Sequence, residues 1–495
     1  MKRILFLITL VILAVSLLAG SVCAENGGKQ MNKDRYGLHV EADGTVTLRG
    51  KPFYGFGVNY FAAFARYVES DSQVTEEFEA GLAGLASYNI PFIRMPLSGY
   101  SASYYDLYDE DPERVFSYMK AVLDECEKNH IGVIGSLMWW EAAIPCHIKG
   151  KRSDMGDPES ETVKYAKKYV ADVVSRFADH PAIWGWEIGN EYNLNADLCD
   201  KELKEYLWYP YDSMPVDDID GFDYYTSEEM AAFYSEIAGV IREYDTYRII
   251  STGNGEMRPA SYALYEQGKE KDENHLWDMR WDANTREQFE YTNKLMTPDP
   301  VDTLCFHLQQ ATYDGSNRYI MNFRVFGRNL SSKEYFQAYY ETAKSMGKAC
   351  YFGEFGDLLD MENAPDMEEK FREITNAISE SGIQIASLWQ FQDYTDEGPA
   401  GIKLTVLSEM NRKLSDDGKQ GSDSVWQPPT GDEPVYEPEI TNAPKPTDDP
   451  EESHTSLRRK IVCAITGALV LVVAATVILC VVFGIKKAKK VKSKS

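Results

Sequence analysis

The sequence predicts an α/β protein, a (β/α)8 barrel of the TIM type, on three observations. Eight short apolar runs alternate with amphipathic stretches between about residues 36 and 414; that length suits one large barrel rather than two small domains; and two glutamates, Glu191 and Glu354, stand where the fourth and seventh runs stop. The expected strands cover 53–59, 91–95, 131–138, 182–188, 248–252, 303–307, 349–353 and 383–389. Helical patterns fall between them at 76–87, 112–129, 161–178, 227–243, 285–295, 333–345 and 367–381, with a weaker closing one near 402–412. Pro112 with Glu113 at a helix start, and Lys128 with Asn129 at its end, match capping and dipole preferences. The stretches 193–225 and 255–300 are longer than ordinary connections and are expected to shape a cleft on the C-terminal face of the barrel.

The two ends have another texture. Lys2 and Arg3 lead into an apolar run over 4–19 and then Val22-Cys23-Ala24, which reads as a secretory signal peptide, residues 1–24, cut after Ala24. Residues 415–460 are rich in proline and acid and suit a stalk without a core. As polyproline-like chain at about 3.1 Å per residue, such a stalk reaches on the order of 100 Å. Residues 461–485 carry no charge and exceed the roughly 20 residues that span a bilayer, so one C-terminal transmembrane helix is expected. Residues 486–495 include Lys486, Lys487, Lys489, Lys490, Lys492 and Lys494, a basic tail that the positive-inside bias places in the cytoplasm. A signal for a glycolipid anchor would end in apolar residues instead. The barrel is thus expected outside the cell, anchored at its surface.

Composition narrows the partners. With 78 acidic against 51 basic residues the net charge is −27, and removing the basic signal and tail makes the remainder more acidic still. Such a chain repels phosphate backbones, so nucleic acid is excluded as a partner, whereas a neutral polysaccharide is not. Outside the signal and the membrane segment, Cys126, Cys146, Cys199, Cys305 and Cys350 remain, an odd number that defines no disulfide framework. Cys305 and Cys350 lie in strand runs as buried thiols; a bridge is open only among the other three. No Cys/His spacing suits zinc and the seven histidines are scattered, so no metal site is expected. The sequence is silent on oligomeric state.

The chemistry sits at the strand ends. Glu191 closes Ile183-Trp-Gly-Trp-Glu-Ile-Gly-Asn-Glu191, and Glu354 lies in Ala349-Cys-Tyr-Phe-Gly-Glu354-Phe-Gly. Cleaving a glycosidic bond requires one carboxyl that arrives protonated and one that meets the oxocarbenium-like carbon ionised. Arg94, in Phe92-Ile-Arg-Met-Pro96, places an always-charged guanidinium at the end of strand two, where it can hold a neighbouring carboxylate ionised and turned. Trp389 closes strand eight, and an aromatic face suits the C–H face of a pyranose. Trp139, Trp140, Trp208, Trp277 and Trp281 lie in strand-end loops and are candidates to stack successive sugars or to pack those loops. Asn59 and Tyr60 end strand one as candidates to touch substrate, while Trp186 and Glu187, inside strand four, are expected to support the site.

These residues carry a resemblance. Over about 36–414 the chain resembles the family-five glycoside hydrolases, the cellulase and mannanase type within the clan of retaining β/α-barrel enzymes, most specifically at Trp186-Glu-Ile-Gly-Asn-Glu191 and in the opening Val46-Thr-Leu-Arg-Gly-Lys-Pro-Phe-Tyr-Gly-Phe-Gly-Val-Asn-Tyr60. The resemblance implies a small hairpin ahead of the first barrel strand, Glu191 as acid/base, Glu354 as nucleophile, Asn190 on the sugar 2-hydroxyl, Arg94 beside the nucleophile, His307 at the end of strand six and Trp389 as the floor of a sugar subsite. Two departures stand out. The family tyrosine beside the strand-six histidine is replaced by Leu308 and Gln309, leaving Gln309 or Tyr313 to serve the nucleophile; and strand three reads Leu137-Met-Trp-Trp-Glu141, without the usual histidine.

The expected activity is a cell-surface retaining β-glycoside hydrolase acting on a β-linked glucan or mannan, with no cofactor, since acid, nucleophile and oriented sugar suffice. A carbohydrate-binding or adhesion protein on an inactive barrel, and a transglycosidase, are the alternatives the same residues allow.

Overall fold

The computed structural model describes residues 35–64, 68, 75–198, 224–269, 282–308, 323–326, 328–356, 366–391, 398–420 and 426. The expected signal peptide, nearly all of the stalk, the membrane segment and the basic tail lie outside these residues, as do Trp208, Trp277, Trp281, Cys199, Gln309, Tyr313 and Asp357. Among the described residues no helix is long and apolar enough to cross a membrane.

The chain opens with a three-stranded antiparallel sheet, β1 (Leu38–Val40), β2 (Val46–Leu48) and β3 (Lys51–Pro52), one strand more than the hairpin anticipated there. Eight parallel strands then close a barrel: β4 (Gly55–Asn59), β5 (Phe92–Pro96), β6 (Gly132–Met138), β7 (Ile183–Gly189), β8 (Ile249–Ser251), β9 (Thr303–Leu308), β12 (Ala349–Phe355) and β13 (Ile385–Leu388), with β13 pairing back onto β4. A short antiparallel pair, β10 (Phe323–Val325) and β11 (Arg328–Leu330), stands outside it. All eight expected strand runs are barrel strands, with ends shifted by a few residues.

The helices between them begin where short polar side chains can satisfy the free N–H groups of a first turn. Thr75, Ser160, Thr226, Thr285 and Ser331 each accept from the backbone at the start of Glu76–Ser87, Glu161–Phe177, Ser227–Tyr244, Arg286–Leu295 and Ser332–Ser345. Helices Ala102–Glu110, Ala143–His147 and Ser261–Gly268 carry no side-chain cap. Those three escaped the sequence reading: two start after Ala142 and Ala260, which offer no capping side chain, and Ser101, before the other, makes no capping hydrogen bond. The closing helix, Gly398–Asp416, extends past the anticipated end of the barrel domain at 414. Within it the buried Asn411 side-chain amide accepts from Phe56 N and donates to Phe56 O, tying the last helix to the first barrel strand.

Two layers of side chains fill the barrel. At the floor, Phe92, Ile134, Trp184, Ile249, Cys305, Tyr351 and Ile385, one from each of seven strands, meet in a single apolar cluster closed from below by Leu38, Val46 and Leu48 of the N-terminal sheet. Each large apolar side chain so buried contributes roughly 1.5–3 kcal/mol. The layer above is polar. On β5 and β9 the step from floor to polar layer is two residues, Phe92 to Arg94 and Cys305 to His307, as strand alternation requires. On β7 and β12 it is three, Trp184 to Glu187 and Tyr351 to Glu354. Register shifts account for the extra residue: Val133 pairs with Ile183 but Ile134 with Gly185, and Phe352 pairs with Phe306 but Glu354 with His307. Such bulges turn the following side chains to the other face. Without them, alternation would send Glu187 and Glu354 toward the helices.

Candidate active site

Arg94 organises the polar layer. Its Nε donates to both carboxyl oxygens of Glu187 at 2.9 and 3.1 Å; Nη1 donates to Asn59 Oδ1 at 2.8 Å and Glu354 Oε1 at 2.6 Å; Nη2 donates to Asn190 Oδ1 at 2.8 Å and lies 2.6 Å from Glu187 Oε1. The guanidinium is wholly buried and its face covers Trp139 at 4.6 Å. Burial opposes its charge, but Glu187 and Glu354 outweigh that cost and hold it protonated above the ordinary arginine range. Because a guanidinium only donates, every group it touches must turn an oxygen toward it. Asn190 therefore presents its Nδ2 hydrogens away from Arg94.

Glu191 follows β7 with a left-handed backbone, φ 59°, and its N–H donates to Gly253 O at 2.8 Å. That conformation is costly for a side-chain-bearing residue and typical of functional sites. Gly253 makes it possible: its own φ is 71°, and a Cβ there would collide with Gly189 O. Gly255, next but one, lies against Glu191, with Oε1 only 3.0 Å from where its Cβ would be. Glu191 Oε1 meets His307 Nδ1 at 3.1 Å. Desolvation raises the Glu191 carboxyl above the usual carboxylate range, opposed by the charges of Arg94 and Arg258, although 27% of the side chain still reaches solvent. Glu354 is only 1% exposed, and its Oε1 lies 3.6 Å from the same His307 Nδ1. One carboxyl oxygen of Glu191, one of Glu354 and a ring nitrogen of His307 all lie within 4.8 Å of one another. Burial pushes His307 down to about 4, against the pull of Glu354, so its ring is neutral in ordinary buffers.

The structure brings Glu191, Glu354, Arg94, Asn190, His307 and Asn59 into one contiguous network, but it alters two sequence assignments. Asn59 is fully buried; its Oδ1 faces Arg94 and its Nδ2 donates to Gly353 O at 2.9 Å, so it ties strand one to strand seven rather than touching sugar. Trp139 is 2% exposed beneath Arg94 and packs against Trp389 and Phe61, which makes it a wall of the site and not an open stacking platform. Trp389 and Trp140 remain partly exposed. Trp186 is buried on the helix side and donates to Asp245 Oδ2 at 2.8 Å, serving the barrel wall. Cys126, Cys305 and Cys350 are buried free thiols; Cys146 is buried as well.

Sequence reasoning passed over Glu256 and Arg258. They follow β8 at the same end of the barrel, where Gly253-Asn-Gly255 signalled a tight strand-end turn. Burial raises Glu256 to about 7, with Tyr335 donating to it at 2.8 Å, and Arg258 donates to Leu194 O in the turn that carries Glu191.

Comparison with known proteins agrees with this arrangement. The cellulase family, glycosyl hydrolase family 5, matches residues 48–394. The chain belongs to that family. It is an O-glycosyl hydrolase. No curated protein matches the sequence. Among solved structures, the endo-1,4-β-mannanase from Rhizomucor miehei is similar at 14% identity and TM-score 0.50, over 76% of this chain and 99% of that one. The family 5 mannosidase from the same organism is similar at 13% identity and TM-score 0.50, over 77% and 98%. At such identities the two share the barrel fold with this chain.

Proposed function

We propose that the protein is a retaining β-glycoside hydrolase of β-linked glucan or mannan, with Glu354 as nucleophile and Glu191 as acid/base. The observation that carries this reading is the approach of the two carboxyl groups to within 4.8 Å at their nearest oxygens, close to the roughly 5–5.5 Å of retaining sites and short of the about 6.5–9.5 Å that leaves room for water in inverting ones. Glu354 attacks the anomeric carbon, and Glu191 gives its proton to the departing glycosidic oxygen. Glu191, now a carboxylate, then takes a proton from water as that water displaces Glu354, so two inversions restore the starting configuration. Arg94 opposes no step of this cycle: it fixes the Glu354 carboxylate and stays protonated throughout. Asn190 is held so that its free hydrogens can meet the sugar 2-hydroxyl, and the partly exposed Trp389 offers a ring for the pyranose face. Residues 1–24 and 461–485 belong to the same reading as export signal and membrane anchor, which place the hydrolase at the cell surface.

The test is hydrolysis of β-mannan and β-glucan oligosaccharides followed by proton NMR. β-Mannan comes first because the two similar barrels are mannan- or mannoside-cleaving enzymes. The first-formed product is expected in the β configuration; an α product would contradict the reading. A protein that binds these sugars and releases no product would favour the inactive-barrel alternative.

A further inference from the structure

The residues that would cleave sugar also form the geometry of a metal site. We propose that the unliganded cleft binds a zinc-class divalent cation through His307 Nδ1 and the carboxylates of Glu191 and Glu354, and that cation and glycan exclude one another. This rests on the reading above for where the glycan sits, though not on its being cleaved.

The distances fit. Zinc bound to nitrogen and oxygen at about 2.0–2.2 Å in a tetrahedron leaves its ligand atoms roughly 3.4 Å apart. His307 Nδ1 stands 3.1 Å from Glu191 Oε1 and 3.6 Å from Glu354 Oε1, and the three ligand atoms lie within 4.8 Å. The ring is 1% exposed and held in place at the end of its strand, so it need not reorganise to ligate. Its far side fixes which nitrogen carries the hydrogen. Among the described residues Nε2 has no hydrogen-bond partner, and a buried group that includes Cys305 Sγ and a carboxyl oxygen of Glu187 lies within 4.8 Å of a ring nitrogen. Nε2 and Sγ both crowd the point where a Cβ of Gly353 would lie, at 2.5 and 2.9 Å. An anion and a sulfur there favour the Nε2–H tautomer, which leaves the Nδ1 lone pair facing the cleft.

The ion would sit between the two carboxyl groups, in the space the reading above gives to the anomeric carbon. Arg94, already on Glu354 Oε1, weakens that ligand, so an exchangeable inhibitor is expected rather than a resident structural metal. No spacing along the chain signals this site, because its ligands come from three separate strand ends. Among the described residues a further cluster, exposed Asp124 with half-buried Glu127 and His180, lies away from the cleft, with Lys120 Nζ 2.7 Å from Asp124, and serves as the comparison site.

Calorimetric titration of the full-length protein with Zn²⁺, under a non-chelating reductant, tests this. One ion per chain is expected, with affinity falling by on the order of tenfold or more in Glu191→Gln and in His307→Ala, unchanged in His180→Ala, and lost when a bound oligosaccharide fills the cleft. Glu191→Gln keeps the test decisive should His307→Ala fail to fold. Affinity indifferent to Glu191→Gln, or abolished by His180→Ala, overturns the proposal. Zinc binding that follows the expected pattern in a protein that cleaves no glycan would sink the hydrolase reading and leave the metal site standing; cleavage without such binding would do the reverse.

Discussion

The floor and the polar layer of this barrel are built on the same strands, two or three residues apart, and they answer to different physics. The floor is a set of interchangeable apolar volumes: Phe92, Trp184, Cys305 and Tyr351 differ in size yet fill one space. The layer above has no such freedom. Every donor of Arg94 is aimed at Glu187, Glu354, Asn59 or Asn190, and the removal of one partner leaves another buried and unpaired. Floor changes should therefore appear in stability alone, and changes in the polar layer in turnover, with a cost in stability wherever a buried charge loses its partner.

The strongest separation is expected from Glu354→Gln, which keeps shape and removes the nucleophilic charge: kcat should fall by on the order of 10⁴-fold or more while the melting temperature moves little. At the floor, Trp184→Ala should cost about 3–5 kcal/mol in denaturant unfolding, with KM of the surviving folded fraction unchanged. Gly353→Ala tests the bulge that joins the layers, because its Cβ would press on His307 and Cys305; a displacement of about 1 Å at the chemistry predicts a loss on the order of 10²-fold in kcat/KM. A smaller effect separates the layers by pH. Because Glu191 is raised in the folded state, its contribution to stability is fully present below the unfolded carboxyl range near 4.5 and is lost as pH rises through the folded value. Glu191→Gln should accordingly raise the melting temperature at neutral pH, with the gain vanishing toward pH 4. His307 has the opposite sign: depressed to about 4, it favours the fold above pH 6.5 and ceases to as pH falls through 4. Its ring resonances should stay those of neutral imidazole at pH 6, and a midpoint near 6.5 would show that the ring is not desolvated as described.

Most of the barrel was legible because apolar runs and helix caps are local signals. Eight strands, and the seven helices with clear patterns, follow from them; the cap-free helices at 102–110, 143–147 and 261–268 do not. The two carboxylates stood out by their strand-end positions together with the block Trp186-Glu-Ile-Gly-Asn-Glu191. What could not be read was orientation. Strict alternation counts Glu187 and Glu354 on the wrong face, and only the paired register reveals the extra residues at Trp184 and Gly353. Nor does sequence show depth: Asn59 and Trp139 stand at strand ends, as contact residues should, but lie under Arg94 and out of reach.

In the proposed mechanism Glu354 forms the bond to sugar. Incubation with an activated 2-deoxy-2-fluoro β-glycoside, followed by peptide mass mapping, tests this step. One glycosyl residue is expected on the peptide carrying Glu354 and none in Glu354→Gln. A label on Glu191 or Asp357, or turnover that survives in Glu354→Gln, would contradict it.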